Sequence, residues 1–211
     1  GNNTKFTETY PPAVDVFGHW AEIGKDEGME KGHAASVDFM AHKIKHRIEL
    51  PFSFIDCGCG NGWVVRQYSK YKNCISASGI DGADKMIEKA RKRDTENNYI
   101  CSDILTWVPE IPVDIVHSME VLYYLEDPSL FIKNIHDKWL LEKGCFIFGI
   151  DHYVENPSTL NWPKECGVNM NTQPIEFWLN AMKRSGFKKV QHWQIGKKDN
   201  WKGTLVILGE K

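Results

Sequence analysis

The chain has 211 residues, 42% of them hydrophobic and 26% charged, with 26 basic residues against 28 acidic and a formal charge of −2. That composition is neither disordered nor fibrous, it leads us to expect one compact domain, and it offers no overall positive field to hold a nucleic-acid backbone. No uncharged apolar stretch approaches the ~20 residues of a membrane helix.

Gly1-Asn2-Asn3-Thr4-Lys5 lacks the apolar core of a signal peptide. The expectation is therefore a cytoplasmic protein with neither nucleic-acid nor membrane partners. The six cysteines (57, 59, 74, 101, 145 and 166) are scattered, and four sit beside β-type residues, as buried thiols of a reducing compartment do. Cys57 and Cys59 form C-x-C, but no second pair or nearby histidine completes a zinc site, so no metal is expected.

Residues 1–30 read as irregular and aromatic, with Phe6, Tyr10, Phe17 and Trp20 broken by Pro11-Pro12 and by glycines. From Ser36 the pattern turns helical: Val37, Met40, Ala41, Ile44 and Ile48 recur at steps of three and four until Pro51 stops them. Phe52–Cys57 is a short apolar run that reads as a buried first strand. Gly60–Tyr71 can be helical, Ile75–Ile80 reads as a second strand ending at Asp81, and Ala83–Arg93 is helical with Met86, Ile87 and Ala90 inward. Its basic end opposes the negative end of the helix dipole.

Tyr99–Cys101 is a short third strand and Val113–Ser118 a fourth. Ser129–Leu141 reads as a helix and Cys145–Ile150 as a fifth strand. Residues 151–172 form a long polar stretch holding Trp162. Pro174–Arg184 is helical, with Gly186 at its C-terminal cap. Phe187–Ile195 and Gly203–Leu208 read as a hairpin. Strands alternating with helices imply a doubly wound, mainly parallel α/β sheet with helices on both faces, and the hairpin must add one antiparallel strand.

In such sheets ligands sit at the carboxyl ends of the strands. The first strand ends Asp56-Cys57-Gly58-Cys59-Gly60-Asn61-Gly62-Trp63. Alternating glycines let the backbone approach a ligand and permit a sharp strand-to-helix turn. A dinucleotide turn wants G-x-G-x-x-G, and counting from Gly58 the third glycine falls on Trp63, which disfavours a nicotinamide oxidoreductase. No G-x-x-x-x-G-K-[ST] exists, so a triphosphate loop is excluded. Asp56 before the turn would repel a pyrophosphate but suits an ammonium or sulfonium group. Asp81 follows Gly62 by 19 residues, placed to accept ribose hydroxyls. Asp103 can bond an adenine edge, with Met86 and Ile104 offering apolar faces to the ring. Each aspartate alone suits a turn or cap; the set in register at successive strand ends points to a nucleoside.

On these residues the chain resembles the class I S-adenosylmethionine-dependent methyltransferases, of small-molecule type. The resemblance rests on residues 54–62, Gly79–Met86, Cys101–Ile104 and Asp114–Tyr124, and it covers the chain from about residue 52 onward. It implies a seven-stranded sheet in the order 3-2-1-4-5-7-6 with strand 7 antiparallel, and S-adenosylmethionine as cofactor. It implies a methionine moiety at the Gly58–Gly62 turn, including Cys59 and Gly60, and near Met119. Ribose would lie at Asp81 beside Gly82, and adenine at Asp103 and Ile104. Gly82 stands where a small polar residue is common, and Tyr123-Tyr124 where histidines often occur.

Methyl transfer needs alignment and a dry pocket; an oxygen or a protonated amine also needs a base within reach. The candidates are Glu120, Tyr124, His152 and, if the N-terminal segment folds over the sheet, His19. The acceptor pocket is expected from residues 1–35 (Tyr10, Phe17, His19, Trp20, His33) and 151–172, since so long a loop in a compact domain is usually functional. The expected layout is an N-terminal lid or helical segment over 1–50, a cofactor core over 52–151, a substrate-side insertion over 152–172 and a closing helix and hairpin over 173–211. This length leaves no added domain for grasping a macromolecule, so a small-molecule acceptor is expected. The alternative is a cofactor-binding or regulatory protein without turnover. Monomer and homodimer both stay open.

Overall fold

The computed structural model describes Phe6 and residues 10–211; the sequence reading of residues 1–5 and 7–9 lies outside them. The elements are α1 (Ala13–Ile23), α2 (Lys25–Lys43), α3 (Lys45–Ile48), β1 (Phe52–Cys57), α4 (Trp63–Ser69), β2 (Cys74–Asp81), α5 (Asp84–Arg93), β3 (Asn98–Cys101) and β4 (Val113–Met119). Then come α6 (Pro128–Asn134), β5 (Leu140–Ile150), α7 (Trp162–Cys166), α8 (Ile175–Arg184), β6 (Lys188–Ile195) and β7 (Thr204–Glu210). No described helix is long and apolar enough to cross a membrane.

The seven strands form one sheet in the order β3-β2-β1-β4-β5-β7-β6. β1 to β5 pair in parallel, while β7 runs antiparallel to both neighbours. The order and the antiparallel seventh strand agree with expectation. The central strands are largely buried on both faces, hence their mostly apolar sequences. Successive side chains still alternate. Phe54, Ile115, Ile147 and Val206 pack on one face with Met40 and Tyr68. Ile55, Val116, Phe146, Phe148 and Ile207 pack on the other with Trp139 and Trp178. β1 lies between β2 and β4, with Asp56 beside Gly79 and His117. That register puts the carboxyl ends of β1, β2 and β4 around one crevice.

Several boundaries differ from the sequence reading. The segment expected to be irregular is helical from Ala13, and the helix expected from Ser36 to Pro51 is the second half of α2 followed, after a break at Ile44, by α3. Gly24, at φ 77°, is the elbow between α1 and α2, a left-handed conformation that suits glycine. The helix expected from Gly60 starts at Trp63, because Gly58, Gly60 and Gly62 all take positive φ and form the turn itself. The helix expected to reach Leu141 passes into a wider turn over Ile135–Trp139, and β5 begins at Leu140. The stretch 151–172 contains a 3-10 turn at Pro157–Thr159 and α7. Among its side chains His152, Tyr153, Asn156 and Thr159 are buried, so it is a packed element.

Candidate active site

A cavity of about 480 Å³ opens where β1, β2 and β4 end. That is within the range of small-molecule sites. One wall is the sheet: Asp56, Gly58, Cys59, Gly60, Asp81 and Met119. Gly82, Met86, Asp103 and Ile104 continue it. The facing wall is α1 and α2, which supply Phe17, Trp20, Met29 and His33. Glu120 and Tyr124, just past β4, complete it. Of the residues expected to hold the cofactor, all but Gly62 reach the cavity.

Gly62 acts from behind. Its φ is 86°, and a Cβ there would come within 2.7 Å of the Tyr99 ring. Gly58, at φ 74°, has a similar constraint: its Cβ would collide with Val121 Cγ2. A larger residue at either position would push the turn into or away from the crevice.

Asp81 sits at the C-terminal end of β2. Its two oxygens accept hydrogen bonds from Gly60 N–H and Ala83 N–H, each at 2.9 Å. Burial raises its pKa, and those two bonds oppose the rise. The two donors fix the plane of the carboxylate and leave its other lone pairs for a ligand. Asp56 is held by His117, whose Nδ1 lies 3.0 Å from Oδ1. Burial raises the Asp56 pKa as well, with the His117 contact working against it.

The glycine turn is also tied to α2. The Asn61 amide donates to Asp26 at 2.9 Å, and Lys89 Nζ on α5 donates to the same carboxylate at 2.7 Å. Asp26, buried, thus joins three elements that surround the cavity.

The second polar cluster involves Glu120. This residue takes φ 60°, a region disfavoured for any side chain with a Cβ. Its backbone N–H donates to Gly149 O at 2.8 Å, and its carboxylate accepts from Asp151 N–H and from Tyr123 O–H. Burial first, then the nearby Asp151 charge, push its pKa up to about 8. His33 Nε2 lies 2.9 Å from Asp151 Oδ2 and 4.0 Å from Glu120 Oε2. Its Nδ1 faces Met29 O at 2.7 Å. Both ring nitrogens thus face acceptors, which only the doubly protonated ring satisfies. Burial opposes that charge, but the Asp151 bond and the two carboxylates outweigh it and raise the pKa to about 9. One ligand atom each from His33, Glu120 and Asp151 lies within 4.8 Å of the others, close enough for a cation, but a doubly protonated imidazole has no lone pair to give one.

Two expected bases lie elsewhere. His152 is buried and lies off the cavity wall: Nδ1 meets Thr159 O at 3.0 Å and Nε2 meets Thr172 Oγ1 at 2.7 Å. Burial lowers its pKa, and it secures the 151–172 segment. His19 points outward on α1, its side chain 66% exposed and 4.0 Å from Glu22. His33, expected only as a pocket residue, is the histidine that joins Glu120. Its partner Asp151 is 118 positions away, and no local pattern in the sequence pairs them.

The comparisons with known proteins agree with this geometry. Residues 55–148 match a family model described as a methyltransferase domain. A trans-aconitate 2-methyltransferase of Rhizobium etli is 32% identical over 135 residues, covering 64% of this chain and 50% of that protein. The first curated relatives are spanned over only 28%, 56% and 52% of their own length. Among solved structures, a SAM-dependent methyltransferase of Thermotoga maritima, described as a possible histamine N-methyltransferase, superposes with a TM-score of 0.73 at 19% identity. It covers 93% of this chain and 99% of that one. An S-adenosylmethionine-dependent methyltransferase of Mesorhizobium loti gives a TM-score of 0.64 at 22% identity, covering 77% and 92%. At those identities the two structures speak for the fold. The matched span, residues 55–148, is thus similar to methyltransferase domains, and the strand order is the fold of the S-adenosylmethionine-dependent methyltransferases it superposes on.

Proposed function

We propose that the chain transfers a methyl group from S-adenosylmethionine to a small-molecule acceptor held between the sheet ends and α1–α2. The observation that carries this reading is Asp81, oriented by Gly60 N–H and Ala83 N–H at the lip of a cavity sized for a nucleoside and a small partner. The residues fit the cofactor: a fixed carboxylate for the ribose, a side-chain-free turn at Gly58–Gly60, and Met86 and Ile104 as apolar surface beside Asp103. Bound S-adenosylmethionine supplies an electrophilic methyl group on a sulfonium sulfur.

The chain's own part is positioning. Asp56, Gly58 and Gly60 fix one end of the ligand, Asp81 and Asp103 the other, and Phe17, Trp20 and Tyr124 exclude water from between. Glu120 is the base, with Tyr124 beside it. A small acceptor is supported by the cavity's size and by the Rhizobium etli relative, which is named for trans-aconitate.

The test is titration of S-adenosylhomocysteine by calorimetry. Asp81→Ala is expected to weaken binding by about 1.5–3 kcal/mol, the range for a lost hydrogen bond to a charged group. An unchanged dissociation constant would remove Asp81 from the role. Turnover on a metabolite panel then separates an enzyme from a protein that only binds the cofactor.

A further inference from the structure

The charged side chains on the cavity wall are strongly one-sided. Asp26, Asp56, Asp81, Asp103 and Glu120 line it, and among the described residues no lysine or arginine does. The one cationic group, His33, already faces Asp151 at 2.9 Å. Three cations among the described residues touch wall residues from outside. Lys89 is held by Asp26 at 2.7 Å and Glu27 at 3.0 Å, Lys25 lies over the Trp20 ring, 4.2 Å from its centroid, and Arg66 donates to Asn61 O at 2.6 Å. None of these side chains lines the cavity. A carboxylate or phosphate acceptor would enter with no free counter-ion on the wall and acidic side chains around it.

The same wall is well made for the opposite sign. Phe17 packs edge-on to Tyr124 at 4.8 Å and tilted to Trp20 at 5.0 Å. All three rings line the cavity together with the Glu120 carboxylate. Aromatic faces beside a carboxylate attract an ammonium group and the apolar body that carries it.

Resting on the methyltransferase reading, we propose that the acceptor is an amine with an apolar or aromatic body, its nitrogen at Glu120 and its body against Phe17, Trp20 and Tyr124. Above about pH 8, where Glu120 is ionised, the acceptor ammonium gives one N–H proton to its carboxylate. The freed nitrogen lone pair forms the new N–C bond to the methyl group as the C–S bond breaks, and that bond's electron pair stays on sulfur. The positive charge passes from sulfur to nitrogen, and one proton leaves overall. The chemistry favours nitrogen over oxygen. A phenol losing the same proton would become an anion among carboxylates, whereas an ammonium becomes a neutral amine. An aliphatic alcohol holds its proton too tightly for a carboxylate to take.

The experiment uses matched compounds sharing one body and differing in head group: tryptamine, tryptophol and indole-3-propionate, with the corresponding phenyl series. Each is titrated into the full chain saturated with S-adenosylhomocysteine, and each is assayed for methylation with S-adenosylmethionine. At least one amine is expected to bind and turn over at least tenfold better than its matched acid and alcohol. Better binding or turnover of an acid or alcohol, or failure of every amine while S-adenosylhomocysteine still binds, overturns the amine assignment. Failure of S-adenosylhomocysteine itself to bind would instead strike at the methyltransferase reading. Glu120→Gln is expected to lower amine affinity about tenfold, with a smaller change for S-adenosylhomocysteine; equal losses count against the assignment. Should that variant fail to fold, Phe17→Leu on α1 is expected to lower amine affinity about threefold, and an unchanged amine affinity overturns the aromatic contact.

Discussion

His33 is the residue whose chemistry depends most on distant partners. Asp151 Oδ2, Glu120 Oε2 and the Met29 carbonyl face it from three parts of the chain, and they raise its pKa from 6.5 to about 9. Glu120 moves the same way, from 4.5 to about 8. Between pH 6.5 and 8 the folded protein thus holds two protons that the unfolded chain has released. Stability is greatest at low pH and falls as pH rises, most steeply in that window, where each group contributes about 1 kcal/mol per pH unit. Above pH 8 only the His33 contribution continues to fall, and it ends near pH 9. His33→Gln removes one of the two protons, so the slope between pH 6.5 and 8 is expected to drop to about half. Urea unfolding at several pH values measures it, and an unaltered slope would rule out the ion-paired histidine. The sequence made the other half of the site readable. Asp56, Asp81 and Asp103 lie at or just past the carboxyl ends of β1, β2 and β3, so their place in the crevice follows from topology. His33 has no such local frame.

At the level of elements, the core was legible where one period dominates and illegible where polar contacts do the packing. β1, β4 and β5 announce themselves as mostly apolar segments because both faces are covered. α2 does not. Its first half carries Gly28 and Gly32, where an added Cβ would meet nothing within 4 Å, so those glycines occupy an open helix face without breaking it. What holds that half is polar: Asp26 to Asn61 and Lys89, and His33 to Asp151. An apolar stripe starts only at Val37, which is why the sequence reading places the helix start near Ser36. Asp26→Ala follows from this arrangement. It deletes Asp26's own contacts to the glycine turn and to α5, leaving Asn61 with Glu30, and Lys89 with Glu27 and Ala21 O. The expected result is a loss of about 1–3 kcal/mol in stability together with faster protease cleavage near the Gly24 elbow. A variant as stable and as resistant as the parent would show that apolar contacts alone seat α2.

Over the whole molecule, the cavity lies between two bodies of different character. Behind one wall is the sheet, with large buried side chains on both faces; the other wall is α1–α2, which has fewer apolar contacts to the rest: Trp20, Ala21 and Met29 about Ala83 and Met86, Phe17 on Tyr124, the Val37–Met40–Ala41 stripe in the cluster with Phe54 and Tyr68, and Phe39 on Trp193. Elements held by fewer apolar contacts open locally at lower free energy. A ligand that touches Asp81 and Met119 on one side and Trp20 and Met29 on the other must be released, at least in part, before α1–α2 can lift. Binding therefore adds to the opening cost of those helices in proportion to ln(1 + [L]/Kd), about 2.7 kcal/mol at a hundredfold excess over Kd. Amide exchange with saturating S-adenosylhomocysteine is expected to slow most over residues 13–43, and least over α8, which packs on the opposite face of the sheet from α2. Uniform slowing would mean that the ligand stabilises only the global fold. Slowing confined to residues 56–62 and 81–83 would mean that the sheet alone makes the site, and that α1–α2 is a wall the ligand does not touch.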